Sequence, residues 1–350
     1  MNSYRIGIFE LQTTLNKTLK ANSIPEKDAY RISEVLLDCE LRGHEDHGVA
    51  HIDYVLTSFK NGKINKTPSL RVVNESFATA LIDGDNGNGI ITSTKAMNIS
   101  IEKTKTTGFS AVGVCNSNYC LAGFPYVMQA AREGFIGFAM SNSTAIMPPP
   151  GGITRTFGTN PIAYAIPTPD GTPIILDMAT SVTAAAKVFT ARSKGEMLPL
   201  GLAEDLQGNP ITDPHKFDPF SSLILPMSGA KGYGLALLVD VLAGILTGSG
   251  FAQTVSSSTS SRMGQFFFTI DVERFIPRKD FNERIASLIR QVKFGKKREN
   301  TNEIYLPGER GILRKMEQIK LGYIDIPKAT WLKIKNACDQ EKIEAPTPIN

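Results

Sequence analysis

Three histidines fall within eight residues of this 350-residue chain. His44, His47 and His51 are spaced three and four residues apart, so a helix would present all three on one face. Such a face could bind zinc, or it could point one imidazole into a pocket. Imidazole titrates nearest to neutrality, so it can hold a proton at pH 7 and still release it. Gly48 weakens a helix here. The spacing leaves open a catalytic imidazole, a metal site and a plain surface or capping cluster.

Several loops between residues 143 and 234 carry hydroxyl groups, amides and glycines that allow close approach. Ser143, the segment 157–161 and the segment 176–181, which leaves a predicted strand, could hold a ligand by backbone and hydroxyl contacts. Lys231 lies among glycines before a predicted helix, a position suited to a phosphate. By composition alone these loops are equally consistent with ordinary turns.

Two known ligand motifs are excluded. The turn that starts at Asp83 begins like a calcium-binding EF-hand loop, but Asn88 stands where that loop needs glycine and Thr94 where it needs glutamate. No Gly-x-Gly-x-x-Gly follows a strand and opens a helix, so a conventional Rossmann domain is not indicated. We interpret residues 84–89 as a turn that leads into a helix, whose N-terminus could face a phosphate.

The composition is that of a folded globular protein. Apolar residues make up 41% of the chain and charged residues 21%, and the net charge of +4 gives no expectation of nucleic-acid binding. The longest apolar run, 235–247, is too short to span a bilayer and includes Asp240, so no membrane segment is expected. The four cysteines lack disulfide or zinc spacing and the N-terminus lacks the order of a signal peptide, which predicts free thiols and a cytoplasmic location.

The elements that must position these residues alternate in type along most of the chain. Apolar residues at helical spacing predict an N-terminal helical region, and strands and helices alternate from about residue 72, which predicts a layered α/β architecture. We predict strands at 72–73, 78–83, 111–115, 136–141, 162–166, 173–178 and 266–272, helices at 8–19, 27–42, 91–107, 126–133, 233–246 (buried) and 282–292 (surface), and a loop at Ser256–Ser261.

Seven short motifs in a fixed order cover nearly the whole chain. They are Leu41-Arg42-Gly43 to His47-Gly48-Val49, Asp83 to Gly87, Gly158 to Pro161, Asp177 to Thr180, Gly208 to Pro214, Lys231 to Leu235, and Leu306 to Glu309. In this order they resemble the malate/L-lactate dehydrogenase family, which is distinct from the Rossmann-type lactate dehydrogenases. The family also includes ureidoglycolate dehydrogenase, 2,3-diketo-L-gulonate reductase, sulfolactate dehydrogenase and piperideine-2-carboxylate reductase.

The resemblance implies an α/β fold with two domains. A helical domain would comprise residues 1–75, completed by about 305–350, and a non-Rossmann NAD(P)-binding domain with a mainly antiparallel sheet would comprise 76–304. It also implies a homodimer with active sites near the subunit interface, acting on a small-molecule substrate.

The resemblance further assigns roles to individual residues. His47 takes the place of the family's proton donor and acceptor, Tyr119 that of a second histidine, and Asp177 is expected as a charge partner. NAD or NADP would contact Ser143, Thr159, Asp177, Met178, Ala179, Thr180, Lys231, Gly308 and Glu309. These roles imply hydride transfer between a small 2-hydroxy acid, or an amino or cyclic imino acid, and its 2-oxo or imine form.

Four positions depart from the family pattern. Asp46 replaces a serine, His51 an arginine, Tyr119 a histidine and Leu202 a tryptophan. A histidine cannot reproduce the two-pronged grip of arginine on a carboxylate, so we expect Asp46, His51 and Tyr54 to line an altered substrate site. Two alternatives to an NAD(P)-dependent enzyme stay open. One is a catalytically impaired family member that still binds the cofactor, and the other is a metal enzyme built on the histidine cluster.

Overall fold

A seven-stranded sheet forms the centre of the fold. The computed structural model describes residues 3–255 and 262–349, so the loop predicted at Ser256–Ser261 lies outside the described residues. The sheet strands are β2 Arg71–Glu75, β3 Thr79–Asp83, β4 Phe109–Ser117, β5 Phe135–Ser141, β6 Ile162–Ile166, β7 Ile174–Met178 and β10 Met263–Asp271, in the order β2-β3-β4-β10-β5-β6-β7. The β3–β4 pairing is parallel and the other pairings are antiparallel, which confirms the mainly antiparallel sheet that we expected.

Strand β10 occupies the middle of this sheet, far in sequence from both neighbours. It pairs antiparallel with β4 on one side and with β5 on the other. Phe267 is 1% exposed and meets the ring of Tyr126 edge to face, with centroids 6.0 Å apart. The aromatic residues of β10 therefore join the two halves of the sheet to the core beneath it.

Two amphipathic helices cover the sheet near the candidate site. They are α4 Gly89–Thr107 and α5 Phe124–Arg132, both predicted. The side chain of Asn88 accepts a hydrogen bond from the N–H of Ile90 at 2.9 Å and so caps α4. Residues 84–89 thus form the predicted turn into a helix.

The remaining helices near the two ends of the chain pack together. They are α1 Ile8–Ala21, α2 Glu26–Arg42, α3 Ile52–Lys60, α9 Glu309–Leu321 and α10 Lys328–Gln340, beside an antiparallel pair of strands, β1 Ser3–Gly7 and β11 Tyr323–Pro327. In α1 the buried positions Leu11, Leu15 and Leu19 repeat every four residues, which places one apolar face against α2.

A smaller unit follows β7. It consists of α6 Ala185–Lys194 and the two-stranded sheet of β8 Ala203–Asp205 and β9 Ser222–Ile224. Its core includes Val188, Phe217 and Ile224, and Leu202 packs against it partly buried.

The helix predicted at 233–246 exists, but its predicted burial is wrong. It comprises α7 Ala230–Val239 and a π-helical continuation, Asp240–Ile245. Leu237, Leu238, Ile245 and Leu246 are 44%, 46%, 55% and 60% exposed. An apolar run with a single charged residue shows no clear helical periodicity, so it does not indicate which face is buried. By contrast α8, Arg278–Lys293, is the surface helix predicted at 282–292.

No helix in the two described ranges is both long and apolar enough to cross a membrane. All four cysteines are free, as the sequence predicted.

Candidate active site

The histidine segment does not form one helix. Helix α2 ends at Gly43, whose φ of 85° is left-handed, and two short 3-10 turns follow, Glu45–His47 and Val49–His51, joined by Gly48. The single histidine face is therefore not formed. His44 stacks instead on Phe124, at a centroid distance of 5.4 Å.

His47, His51 and Tyr119 come together in one aromatic cluster. The rings of His47 and His51 are stacked at 6.3 Å, and Tyr119 lies 6.1 Å from each of them. Tyr54 meets His51 edge to face at 6.4 Å. Two 3-10 turns, α3 and the end of β4 thus bring together four of the predicted site residues.

Asp46 is a direct partner of His47. Its Oδ1 lies 3.0 Å from Nδ1 of His47, and the two side chains are 21% and 25% exposed. Burial alone would raise the pKa of Asp46, but the hydrogen bond from His47 and the charges of His47, His44 and Lys187 hold this pKa below its ordinary value. The carboxylate stays ionised and can fix the His47 tautomer with the proton on Nδ1, which leaves Nε2 for a substrate.

The other two members of the cluster are neutral near pH 7. Burial lowers the pKa of His51 to about 4, helped by the nearby charges of His47 and Lys333. Burial raises the pKa of Tyr119 well above its ordinary value. The buried Nδ1 of His51 has no hydrogen-bond partner among the described residues. It is therefore open to a polar group of a ligand, while His51 offers no positive charge.

Asp177 lies at the end of β7 against the N-terminus of α5. One carboxylate oxygen accepts hydrogen bonds from the N–H groups of Gly123 and Phe124, each at 2.8 Å. Burial raises the pKa of Asp177, and the bond from Phe124 and the charges of His44 and His47 oppose this rise. Asp177 thus interacts with His44 and His47 electrostatically, without a hydrogen bond to either, whereas Asp46 is hydrogen-bonded to His47.

The metal alternative finds no ligand set. Within residues 3–255 and 262–349, no three side chains of histidine, cysteine, aspartate or glutamate are arranged to hold a metal ion. Two 3-10 turns replace the single helix that a shared histidine face requires, and the ring of His44 stacks on Phe124 instead of facing His47 and His51.

Three of the predicted cofactor residues, Ser143, Thr159 and Thr180, come together in a second feature, a cradle of backbone and hydroxyl groups. Thr180 donates from both N–H and Oγ1 to the carbonyl of Thr159, each at 2.9 Å. The hydroxyls of Thr159 and Ser143 lie 3.4 Å apart. Asn160 ties the loops together, because its side chain accepts from the N–H of Ser143 at 3.1 Å and donates to the carbonyl of Ala236 at 2.9 Å.

The first turn of α7 closes this cradle. A Cβ on Gly232 would lie 2.5 Å from both N and O of Met227 and still closer to the carbonyl of Thr180, so only glycine fits. Lys231 precedes it and is exposed. No side chain in the described residues caps this helix start. The N–H of Gly232 donates to the carbonyl of Met227 at 2.8 Å, which leaves the N–H groups of Ala230 and Lys231 for a phosphate. Hydroxyls, close backbone and these two N–H groups together fit a nucleotide.

The Gly308–Glu309 turn lies beside strand β7, where the N–H of Ile175 donates to the carbonyl of Pro307 at 3.1 Å. Gly308 has a φ of 78° and approaches the carbonyl of Ile175 so closely that a Cβ would lie 2.7 Å from it. The carboxylate of Glu309 accepts from the N–H of Leu306 at 2.7 Å and pairs with Lys293. Its side chain is therefore engaged in shaping the turn, and backbone groups are what the turn offers to a ligand.

Three residues near these features were missed in the sequence. Glu40 lies beneath the histidine turns and looked like one more charged residue of α2. Lys187 stands in the first turn of α6, just after the segment 177–180, and affects Asp46. Asn160 was seen only as part of a loop. Lys187 carried a usable signal, because it follows a predicted cofactor segment by a few residues.

Comparison with known proteins points to one group of enzymes. The sequence pattern of the malate/L-lactate dehydrogenases matches residues 6–335. Malate dehydrogenase of Pyrococcus horikoshii is 39% identical over 92% of this chain and 91% of its own length. L-sulfolactate dehydrogenase of Methanocaldococcus jannaschii is 35% identical over 92% of this chain and 93% of its own length. The NAD(+)-dependent ureidoglycolate dehydrogenase of Escherichia coli is 31% identical over 84% of each chain.

The likeness extends to the fold. The solved structure of malate dehydrogenase from Entamoeba histolytica superposes with a TM-score of 0.93 at 26% identity, covering 99% of this chain and 100% of that one.

Proposed function

The chain belongs to the malate/L-lactate dehydrogenase family, and we propose that His47 is the proton donor and acceptor with which it interconverts a small 2-hydroxy acid and its 2-oxo form. It is a dehydrogenase that acts on CH–OH groups with NAD or NADP. The related substrate pair is an amino or cyclic imino acid and the corresponding imine. The observation that carries the proposal is the bonded pair of Asp46 and His47 inside an aromatic cluster.

His47 suits the proton transfer. When the carbonyl is reduced, negative charge develops on its oxygen, and an imidazolium at Nε2 can protonate it. In the oxidative direction the same nitrogen accepts the hydroxyl proton. Tyr119, neutral and close to both histidines, can donate a hydrogen bond to the same oxygen but is a poor base near pH 7.

The cradle would hold the cofactor. We propose that Lys231 and the start of α7 bind phosphate, and that Ser143, Thr159 and the segment 177–180 contact the rest of the nucleotide. When bound, the nicotinamide supplies or accepts the hydride. The mainly antiparallel sheet, rather than a Rossmann domain, would then carry the nucleotide.

The substrate carboxylate needs a cation that His51 cannot supply. Its pKa of about 4 leaves it neutral near pH 7. Lys187 acts electrostatically on Asp46, and Lys333 acts on His51, so both lysines bring positive charge to the histidine cluster. We propose that Lys187 attracts the substrate acid group and that His51 and Tyr54 contact its side chain.

The proposal extends to assembly, domains and location. The exposed apolar strip Leu237, Leu238, Val241, Ile245 and Leu246 supports a homodimer formed along α7. The division into residues 1–75 with 305–350 and 76–304 is retained as a proposal, although the pairing of β2 with β3 favours a boundary before Arg71. A cytoplasmic location is likewise proposed from the sequence.

A substrate screen tests the function. Purified protein is titrated with NADH and with NADPH, and binding is followed by fluorescence. Oxidation of each cofactor is then measured with the 2-oxo acids that correspond to malate, sulfolactate and ureidoglycolate, and with cyclic imines. We expect binding of at least one cofactor and turnover of at least one substrate class. Binding without turnover of any of them would favour the catalytically impaired alternative, and absence of binding would end the proposal.

Asp46→Asn tests the orienting carboxylate. We expect kcat to fall about 10-fold, because asparagine keeps the shape but removes the negative charge that stabilises the imidazolium. We also expect the activity–pH curve to move to lower pH, because a protonated His47 loses its counter-charge. Steady-state kinetics from pH 5 to 9 measure both.

Asp53→Asn is the matched control, since Asp53 is an exposed carboxylate on α3. It should leave the rate and the curve unchanged. An Asp46→Asn enzyme with a wild-type curve would show that Asp46 does not assist His47.

A further inference from the structure

A buried carboxylate lies directly beneath the turns that carry His47. Glu40, near the end of α2, is 2% exposed, and its Oε2 accepts a hydrogen bond from the N–H of Val49 at 3.0 Å. It lies so close to Gly48 that a Cβ there would be 3.0 Å from Cδ of Glu40 and far too close to Oε2. Glu40 thus touches both residues that follow His47.

This placement is costly for an ionisable group. Burial raises the pKa of Glu40 to about 7, against the bond from Val49, with Glu45 adding to the rise and Arg314 opposing it. Arg314, on α9, pairs at 3.1 Å with Glu45, on the first 3-10 turn, so its charge is engaged by Glu45 and it makes no ion pair with Glu40. A glutamine could accept the same hydrogen bond without this cost. A costly carboxyl beside reacting groups is common at functional sites.

The histidine turns need an anchor outside themselves. Within residues 3–255 and 262–349, neither 3-10 turn has a capping hydrogen bond from the side chain of its own N-cap residue. Asp46 and His47 belong to the same turn, so their bond fixes the ring relative to the turn but cannot fix the turn relative to α2. Among the described side chains, Glu40 bonds the turns from the buried side and Arg314 bonds them from the exposed side.

We propose that Glu40 is a positioning residue for His47. Its carboxylate holds the Gly48–Val49 peptide against α2 and thereby sets the direction of the His47 ring. The role rests on the proposed function of His47 as the proton donor and acceptor. It also explains Gly48, since any side chain there would displace the carboxylate.

Two variants of similar volume test the role. Glu40→Gln keeps an acceptor for Val49, and Glu40→Met fills the space without one. We expect Glu40→Met to lower kcat at least ~10-fold, because a misdirected acid loses much of its effect, with NAD(P)H affinity unchanged. Glu40→Gln should stay within ~3-fold of wild type, since the hydrogen bond is what positions the turn.

A second readout needs no substrate. Amide hydrogen exchange of the segment 45–51, followed by mass spectrometry, should be faster in Glu40→Met and unchanged in Glu40→Gln. The pH dependence of the melting temperature gives a third test. Because the folded pKa of Glu40 exceeds its ordinary 4.5, the folded state loses stability as pH rises from there through about 7. Glu40→Gln escapes this loss, so its melting temperature should exceed that of wild type at pH 8 by more than at pH 5.

The outcomes separate the two hypotheses. Wild-type kcat in Glu40→Met, equal losses in both variants, or unchanged exchange at 45–51 would each overturn the positioning role. If the wild type turned over no substrate, the proposed function would fail, while the exchange comparison would still decide whether Glu40 holds the turns.

Discussion

Replacement of His47 by asparagine is expected to lower kcat at least ~100-fold, the usual contribution of a general acid–base group. Asparagine can still bond to Asp46, so the turn should keep its shape. The asparagine amide has no proton that titrates near neutrality, so it cannot protonate the oxygen on which negative charge develops. Affinity for NADH or NADPH should stay near wild type, because the cradle lies on other loops. Single-turnover rates and fluorescence titration measure the two quantities separately.

His215→Asn supplies the same substitution at an exposed position remote in sequence. His215 lies in a short 3-10 turn, Pro214–Lys216, outside the aromatic cluster. It should leave both quantities unchanged. An unchanged kcat in His47→Asn would remove His47 from the chemistry, and Tyr119 would become the next group to test.

Gly232→Ala is expected to weaken NAD(P)H binding at least ~10-fold. The new Cβ would lie 2.5 Å from backbone atoms of Met227 and closer to the carbonyl of Thr180, and backbone cannot swing away as a side chain can. The start of α7 must therefore move off the cradle, taking Lys231 with it. The rate at saturating cofactor should fall less than the affinity, because His47 belongs to a different segment of the chain.

Gly234→Ala is the control for this change. Gly234 lies two residues later in the same helix, and nothing lies within 4 Å of a Cβ built there. Both variants gain the same helix propensity, about 1 kcal/mol per glycine replaced, so a difference between them reports the contact alone. Equal cofactor affinities in the two variants would argue against a cradle at Thr180 and Met227.

Local pattern predicted much of the fold. The helical spacing of Ile32, Val35, Leu36 and Cys39 identified α2, and β6 was predicted at its observed bounds, Ile162–Ile166. Strands β1 and β11 were not predicted, because five residues each give a weak signal and their pairing joins opposite ends of the chain. The exposed face of α7 could not be predicted, because its apolar run gives no periodicity.

The candidate site, too, could be predicted only in part. The histidine spacing and the ordered motifs identified its residues. The spacing, however, assumed one continuous helix, and Gly48 interrupts that helix. The partnership of Asp46 with His47 depends on the tight turn that places neighbouring side chains side by side. The contact of Glu40 with Val49 spans nine residues and a change of chain direction. No local pattern encodes either contact.

The central place of β10 also dictates the order in which the molecule can be assembled. As the chain leaves the ribosome, β4 and β5 are made well before Met263–Asp271, and each must wait with an unpaired edge for the strand that belongs between them. Unpaired edges attract other chains, and contacts between distant segments form slowly. The nascent protein therefore passes through a long interval in which its central sheet is two separate half-sheets, vulnerable to aggregation and suited to protection by a chaperone.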